Sequence, residues 1–285
     1  MLSKVTEVFI GCDKPYNKAE YVLFGAPFDS TASYRPGSRF ACKSMRAESY
    51  AIEKYSPYQN KDMRDTSVFD SGDLDLCIGD TAIALGQIES YVSQLLHDSK
   101  KPVMIGGEHL VTLAAVRAMF KHYPELYIIH FDAHADLRDD YLGTKYSHAT
   151  VIRRVWDLLG DRRIYQYGIR SGDKSEFTWG AERVFTNKFN FDGIEKVIKE
   201  LEGKPVYFTL DLDVLDPSIF PGTGTPEAGG VSFNELLGAI EVISRLNIVG
   251  FDMVELLPQN DQSGVSTLVA CKLLREIFLN MVRKV

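Results

Sequence analysis

Short runs of apolar, β-branched and aromatic residues alternate along the chain with longer segments whose apolar residues recur at helical spacing. The short runs predict six strands: Tyr21–Pro27, Pro102–Gly106, Leu126–Asp132, Ile164–Ile169, Pro205–Leu212 and Ile248–Val254. The longer segments predict six helices: Thr81–His97, Leu110–Tyr123, Ala149–Leu159, Phe191–Glu202, Phe233–Arg245 and Gly264–Val282. Strand, helix and strand in repetition favour a three-layer α/β/α fold with a mainly parallel central sheet.

Two segments, 28–47 and 214–231, break this alternation because they are rich in Gly, Pro, Ser and Thr. We interpret them as ordered functional loops, since ligands of open α/β sheets bind outside the carboxyl ends of strands. The chain has no low-complexity linker and no break in composition. We therefore expect a single domain over residues 1–285, with 1–19 as a peripheral N-terminal segment.

The composition excludes several classes of protein. Of the 285 residues, 45% are hydrophobic and 25% charged, which is ordinary for a globular protein and not for a disordered chain. No apolar stretch approaches the roughly 20 residues that cross a bilayer, so no membrane association is expected. A net charge of −7 without a Lys/Arg block argues against a nucleic-acid partner.

The N-terminal residues and the cysteines indicate a cellular compartment. Charged residues occur every few positions among the first twenty residues, so this segment does not resemble the apolar region of a signal peptide. The four cysteines show no Cys-x-x-Cys spacing and are interpreted as reduced thiols: Cys12, Cys42, Cys77 and Cys271. A cytoplasmic protein is expected.

Residue types that bind metals follow three of the predicted strands. His109 closes the Gly-Gly-Glu-His run, Asp132, His134 and Asp136 are spaced by two, and the Asp211–Asp213 run carries a second pair of aspartates. Extended backbone sends alternate side chains to one face, so each set should converge on one side.

Four carboxylates this close together need a counter-charge, because like charges cannot all remain ionised at short range. The carboxylates are those of Asp132, Asp136, Asp211 and Asp213. Two divalent cations, 2 × (+2), balance 4 × (−1), and His109 with His134 would add neutral imidazole ligands. A shell of oxygens with a little imidazole suits Mn²⁺. The sequence therefore predicts two Mn²⁺ ions per chain.

Five motifs resemble those of the ureohydrolases, the family of arginases and agmatinases. They are Gly-Gly-Glu-His, Asp-Ala-His-Ala-Asp, Asp-Leu-Asp-Val-Leu-Asp-Pro, Pro-Gly-Thr-Gly-Thr-Pro-Glu and Asp-Met-Val-Glu-Leu-Leu-Pro. The resemblance implies an arginase-like fold and a homo-oligomer, trimeric or hexameric. It also implies that one metal binds His109, Asp132, Asp136 and Asp211, and the other Asp132, His134, Asp211 and Asp213.

The resemblance also implies the roles of three catalytic residues. Asp136 would carry a proton from the nucleophile to the leaving amine, and Glu255 would pair with the guanidinium of the substrate. A planar guanidinium fork prefers such a carboxylate partner. His148 would exchange protons with solvent, as its imidazole permits near neutral pH. Ala149 stands where the family commonly has Gly, so the loop backbone can differ here.

The expected reaction is cleavage of a linear guanidino compound by a hydroxide that two metal ions activate. Agmatine, giving putrescine and urea, is the predicted substrate, because Arg138 replaces the Asn expected in arginases and Pro-Gly-Thr-Gly-Thr-Pro-Glu is typical of agmatinases. A guanidino acid such as guanidinobutyrate, or arginine, is the alternative. If Arg138 points into the pocket it favours the guanidino acid; if it points to solvent or pairs with Asp139 or Asp140, it favours agmatine.

Two alternatives come from other classes of protein. Deacetylases of the histone-deacetylase type have a similar fold and an Asp-x-His motif, but use one zinc ion and a tandem His-His that this chain lacks. A ureohydrolase-like protein without catalysis could serve as a binding subunit. The remaining histidines, His97, His122 and His130, are predicted to be structural, although His130 has a partner role to Asp132 as its alternative.

Overall fold

A computed structural model describes residues 7–281 and contains an eight-stranded sheet. The strands are β1 (Tyr21–Ala26), β2 (Val68–Asp73), β3 (Lys101–Gly106), β4 (Tyr127–Phe131), β5 (Ile164–Ile169), β6 (Phe185–Lys188), β7 (Pro205–Asp211) and β8 (Asn247–Val254). Their order across the sheet is β2-β1-β3-β8-β7-β4-β5-β6, and every neighbouring pair is parallel. A short antiparallel hairpin, Tyr55–Ser56 with Lys61–Asp62, lies apart from it.

Eight helices cover the two faces of this sheet. They are α1 (Ala41–Glu48), α2 (Thr81–His97), α3 (Val111–His122), α4 (Val151–Leu159), α5 (Lys174–Gly180), α6 (Ile194–Glu200), α7 (Phe233–Ile243) and α8 (Val265–Met281). One apolar core joins the sheet to α1, α6, α7 and α8, and a second joins it to α2, α3 and α4, with α5 against its edge. The predicted three-layer α/β/α fold with a parallel sheet is thereby confirmed.

The predicted elements all occur, with ends displaced by at most a few residues. Helix α2 and strand β5 match their predicted bounds, and the last residue predicted for α8, Val282, lies outside the described residues. Within 7–281 no helix has the length and apolar character needed to cross a membrane.

Strands β2 and β6 were missing from the prediction because they are the two edges of the sheet. An edge strand has a neighbour on one side only, and the sequences VFDSGD and FTNK accordingly lack a continuous apolar run. Segment 28–47 was predicted as a loop throughout, which is wrong for its last part, since α1 begins at Ala41. Phe9, in the described part of the predicted N-terminal segment, is fully buried.

The four central strands, β3, β8, β7 and β4, end side by side and open onto one cavity. The turn after β3 passes close to the segment after β1. A Cβ on Gly107 would lie 1.7 Å from the carbonyl oxygen of Phe28, so only glycine fits there. The Glu108 N–H donates to Phe28 O, and this close approach places His109 at the edge of the cavity.

Candidate metal centre and active site

The structure brings together the eight residues predicted for the site. A cavity of about 340 Å³ is lined by seven of them: His109, His134, Asp136, His148, Asp211, Asp213 and Glu255. The eighth, Asp132, is fully buried directly beneath, in contact with both His109 and His134. Residues from five separate strand ends and loops therefore meet at one point, as parallel strands with common carboxyl ends require.

His109 faces three carboxylates at once. Its Nδ1 lies 3.0 Å from Asp132 Oδ2, 3.2 Å from Asp136 Oδ2 and 3.3 Å from Asp211 Oδ2. All four side chains are buried. This is the complete set predicted for the first metal ion.

The hydrogen bonds of the Thr209 hydroxyl indicate that His109 carries a proton on Nε2. The hydroxyl of Thr209 donates to Asp252 Oδ1 at 2.6 Å, so its oxygen is free to accept from His109 Nε2–H at 3.0 Å. With its proton on Nε2, His109 offers Nδ1 to a metal ion, and Nδ1 is a buried nitrogen without a hydrogen-bond partner. Burial opposes protonation, but the three carboxylates raise the pKa of His109 well above its usual range, so this position attracts either a proton or a metal cation. A lone pair among three carboxylates is repulsive unless a cation lies between them.

The second set is centred on His134. Its Nδ1 lies 2.9 Å from Asp213 Oδ2 and 3.5 Å from Asp132 Oδ1. Backbone amides hold both carboxylates in place: His134 N–H donates to Asp132 Oδ1 at 2.5 Å, and Ala133 N–H to Asp213 Oδ1 at 3.0 Å. Asp132 is the member common to both sets, which is the arrangement expected of a residue that bridges two ions.

Crowding of the carboxylates alters their affinity for protons. Burial, followed by repulsion from Asp132, raises the pKa of Asp136 to about 7. Burial, then repulsion from Asp213 and Asp132, raises the pKa of Asp211 well above its usual range. Such a site gains free energy by binding positive charge, and metal cations can take the place of protons.

The donor set fits metal ions. In two groups of side chains, the possible metal-ligand atoms lie within 4.8 Å of one another. One group is Asp132, His134 and Asp213, and the other is His109, His130 and Asp132. The six predicted ligands comprise four carboxylates and two imidazoles, and thiolates are absent from both groups, which favours a hard or borderline divalent ion.

His130 does more than fill the core, so its predicted structural role is incomplete. It is fully buried, and its Nε2 lies 2.7 Å from Asp132 Oδ2. Gln166 Nε2 donates to the other ring nitrogen, Nδ1, at 3.1 Å, which leaves the His130 proton on Nε2. His130 therefore donates to Asp132 and orients it, which is the alternative role that the sequence left open.

A row of four polar residues crosses the central strands, and three of them, all but His130, were missed by the sequence analysis. Asp252, Thr209, His130 and Gln166 are register neighbours on β8, β7, β4 and β5. Thr209 and His130 each lie two residues before a predicted ligand and so share its face of the strand. A polar residue inside an otherwise apolar strand, spaced by two from a metal ligand, was the signal available in the sequence.

Glu255 follows β8 and reaches the same cavity. Its Oε1 accepts from the backbone N–H of His109 at 2.8 Å, and burial, then repulsion from Glu108, raises its pKa to about 8. Its backbone φ is +62°, a left-handed conformation that glutamate rarely adopts. Asp136 shares this feature with a φ of +54°. Local strain at both residues is typical of functional sites.

His148 lies at the start of a short 3₁₀ turn that precedes α4. Its Nε2 is 3.2 Å from Ser33 Oγ, and both residues line the cavity. Burial lowers the pKa of His148 to about 4, so the imidazole is neutral at pH 7. A neutral imidazole at the cavity wall can accept a proton.

Arg138 is in the position that the sequence analysis associated with a guanidino acid, but it has a counter-charge that the sequence did not reveal. It lines the cavity, but its Nε lies 3.5 Å from Glu176 Oε2 and its guanidinium stacks 5.1 Å from the centre of the Tyr141 ring. Asp139 pairs with Arg154 instead, at 2.8 Å. A buried carboxylate therefore offsets the charge of Arg138 inside the cavity.

Fold and site together define an amidinohydrolase-type architecture, and comparison with known proteins places the chain in a family. Residues 19–279 match the model of the Arginase family, so the chain belongs to that family. An agmatinase of Bacillus anthracis is 47% identical over 97% of both chains. A solved structure from Clostridium difficile is 48% identical, covers 94% of this chain and 99% of its own, and has a TM-score of 0.92.

A more distant structure has the same fold. The agmatine ureohydrolase of Thermoplasma volcanium is 36% identical, with 98% of this chain and 95% of that chain covered and a TM-score of 0.88. The resemblance to ureohydrolases is confirmed, and with it the predicted enzyme class, a metal-dependent hydrolase of C–N bonds in linear amidines. The family assignment favours this class over a deacetylase.

Proposed function

We propose that the protein hydrolyses agmatine to putrescine and urea. The formal charge of the cavity wall is the observation that supports this proposal. Apart from the metal-ligand carboxylates, the wall carries Asp173 and Glu176 against one Arg138, which gives −2 + 1 = −1, and Glu255 adds a further negative charge when a bound guanidinium keeps it ionised. Agmatine carries a guanidinium and an ammonium, and its charge of +2 complements this wall, whereas a guanidino acid is neutral overall. Relatives named agmatinases support the same assignment.

Two divalent metal ions, proposed to be Mn²⁺, would be held by the six ligands His109, Asp132, His134, Asp136, Asp211 and Asp213. When bound, such a pair lowers the pKa of water so that hydroxide is available at neutral pH. We further propose a single catalytic domain in a cytoplasmic homo-oligomer, in line with the ureohydrolase resemblance.

Three residues of the chain would act on the substrate and its protons. Glu255 would pair with the guanidinium and orient its carbon toward the carboxylate cluster. Asp136 would accept a proton at its carboxylate and return it to the amine as the C–N bond breaks, in line with a pKa raised to about 7. His148 Nε2, at the cavity wall beside Ser33, would exchange protons with solvent.

The substrate assignment predicts the order of activity in a comparison of four guanidino compounds. Agmatine should be hydrolysed with the highest kcat/KM by the Mn²⁺-loaded protein, ahead of arginine, guanidinobutyrate and guanidinopropionate, because only agmatine has two positive charges and no carboxylate. Urea release measured at several concentrations of each compound tests this. Faster turnover of arginine or guanidinobutyrate would contradict the proposal.

His148→Ala should lower kcat for agmatine by at least about 100-fold, the usual contribution of a proton-transfer residue. Metal content should stay at the wild-type value, because the hydrogen bonds of the His148 side chain are with Thr31, Ser33 and Ser147 and with none of the four metal-ligand carboxylates. Added imidazole should restore part of the rate. Loss of metal in parallel with activity would instead assign His148 a structural role.

A further inference from the structure

One hydroxyl lies between a buried carboxylate and the proposed proton-transfer histidine. Thr31, in the segment that follows β1, contacts Glu108 on one side and His148 on the other. Neither Thr31 nor Glu108 lines the cavity, whereas His148 does. Of the residues that the Thr31 hydroxyl contacts, His148 is the one that reaches the cavity wall.

Hydrogen bonds hold the side chain of Glu108 against Thr31. It is 1% exposed, and its carboxylate accepts from the backbone N–H of Thr31 at 3.0 Å and from the Thr31 hydroxyl. The backbone of Glu108 is fixed in turn, because its N–H donates to Phe28 O at 2.8 Å. Glu108, the glutamate of the Gly-Gly-Glu-His motif, thus holds residues 28–31 next to the site through hydrogen bonds.

The oxygen of the Thr31 hydroxyl accepts the His148 backbone N–H at 3.1 Å, which fixes the backbone of His148 relative to Thr31. The same oxygen lies 3.5 Å from His148 Nδ1, and Ser147 Oγ lies 3.3 Å from that nitrogen. Contacts with these two oxygens limit the rotation of the imidazole ring.

The opposite ring nitrogen of His148 faces the cavity. Ser33 Oγ, 3.2 Å from Nε2, can donate to it, which is consistent with a lone pair at that position. Orientation of an imidazole by a partner at one nitrogen, so that the other can accept a proton, is the general logic of catalytic histidines.

We propose that Thr31, held by Glu108, is a positioning residue that fixes the orientation of His148, so that Nε2 faces the cavity and accepts protons there. This inference rests on the proposed function of His148 and adds to it two residues outside the cavity. No bond to the substrate is involved; Nε2 gains a proton from the cavity and releases it to solvent.

Thr31→Val tests the proposal because valine keeps the shape of threonine and removes its hydroxyl. We expect kcat for agmatine to fall about 10-fold, as for other residues that orient a functional histidine, with KM within about two-fold of wild type. Thr31→Ser, which retains the hydroxyl, should recover most of the rate. Ser30→Ala is the matched control, since the Ser30 hydroxyl belongs to the same segment but contacts Ile78 O.

The double variant Thr31→Val/His148→Ala separates a positioning role from a general loss of structure. Because Thr31 acts through His148, adding Thr31→Val to the His148→Ala protein should change its kcat less than about two-fold. An equal 10-fold loss in that background would overturn the proposal. So would wild-type kcat in Thr31→Val, or loss of metal in step with its activity.

Thr31→Ala provides a second test if the valine variant does not fold, and it should show the same fall in kcat at wild-type metal content. Urea release from agmatine by the wild-type protein is measured alongside. If the wild type releases none, the proposed function fails. If the wild type is active but the Thr31 variants do not show the expected fall in kcat at wild-type metal content, the positioning role alone fails.

Discussion

Asp132→Ala should abolish urea release, with a fall of at least about 1000-fold, and should remove both metal ions. Asp132 is the one carboxylate in contact with both His109 and His134, and it is also the residue to which His130 donates. Its loss deprives both ions of a ligand and leaves the remaining charges uncompensated. Metal analysis of the purified variant, together with urea release from agmatine, measures both effects.

Asp139→Ala is the matched control for this substitution. Asp139 belongs to the same loop after β4, but its side chain is exposed and pairs with the largely buried Arg154, outside the cavity. Metal content and activity should be unchanged in this variant. An Asp132→Ala protein that holds two ions and remains active would contradict the bridging role.

Glu255→Gln should lower kcat/KM for agmatine by at least about 100-fold while leaving the metal content intact. Glutamine keeps the shape and a carbonyl oxygen that can accept the His109 N–H, so the local backbone should be preserved. It loses the negative charge that would pair with the guanidinium. Removal of one partner of a buried ion pair costs about 3 kcal/mol or more, which corresponds to at least about 100-fold.

Glu227→Gln is the comparison for that variant. Glu227 lies on a neighbouring loop, where its carboxylate accepts from Ser171 Oγ at 2.9 Å, and it does not line the cavity. Its kcat/KM should stay within about three-fold of wild type. Near-normal activity in Glu255→Gln would show that the guanidinium binds elsewhere in the cavity.

The proposed metal ligands could be predicted from the sequence because they depend on short-range rules. Asp132, His134, Asp211 and Asp213 follow buried strands at a spacing of two, and parallel strands end at a common edge. The central strands were predictable for the same reason, since they are apolar on both faces. The edge strands β2 and β6 were not, because one open side removes that constraint.

Contacts between distant segments could not be predicted in this way. Thr31 and Glu108 are separated by 77 positions, and Thr31 belongs to an irregular segment whose path depends on packing against Gly107. The partner of Arg138, Glu176, lies on α5, a short helix that the sequence pattern did not reveal. Because irregular backbone has no fixed period, such pairs appear only once the fold is known.

Titration of metal-free protein with Mn²⁺, followed by calorimetry and by urea release from agmatine on the same samples, tests the central claim most directly. The two sets of ligands that share Asp132 predict saturation at two ions per chain, with urea release rising as the second ion binds. Full activity without added metal, or saturation of binding and activity at a single ion, would contradict a reaction that depends on a metal pair.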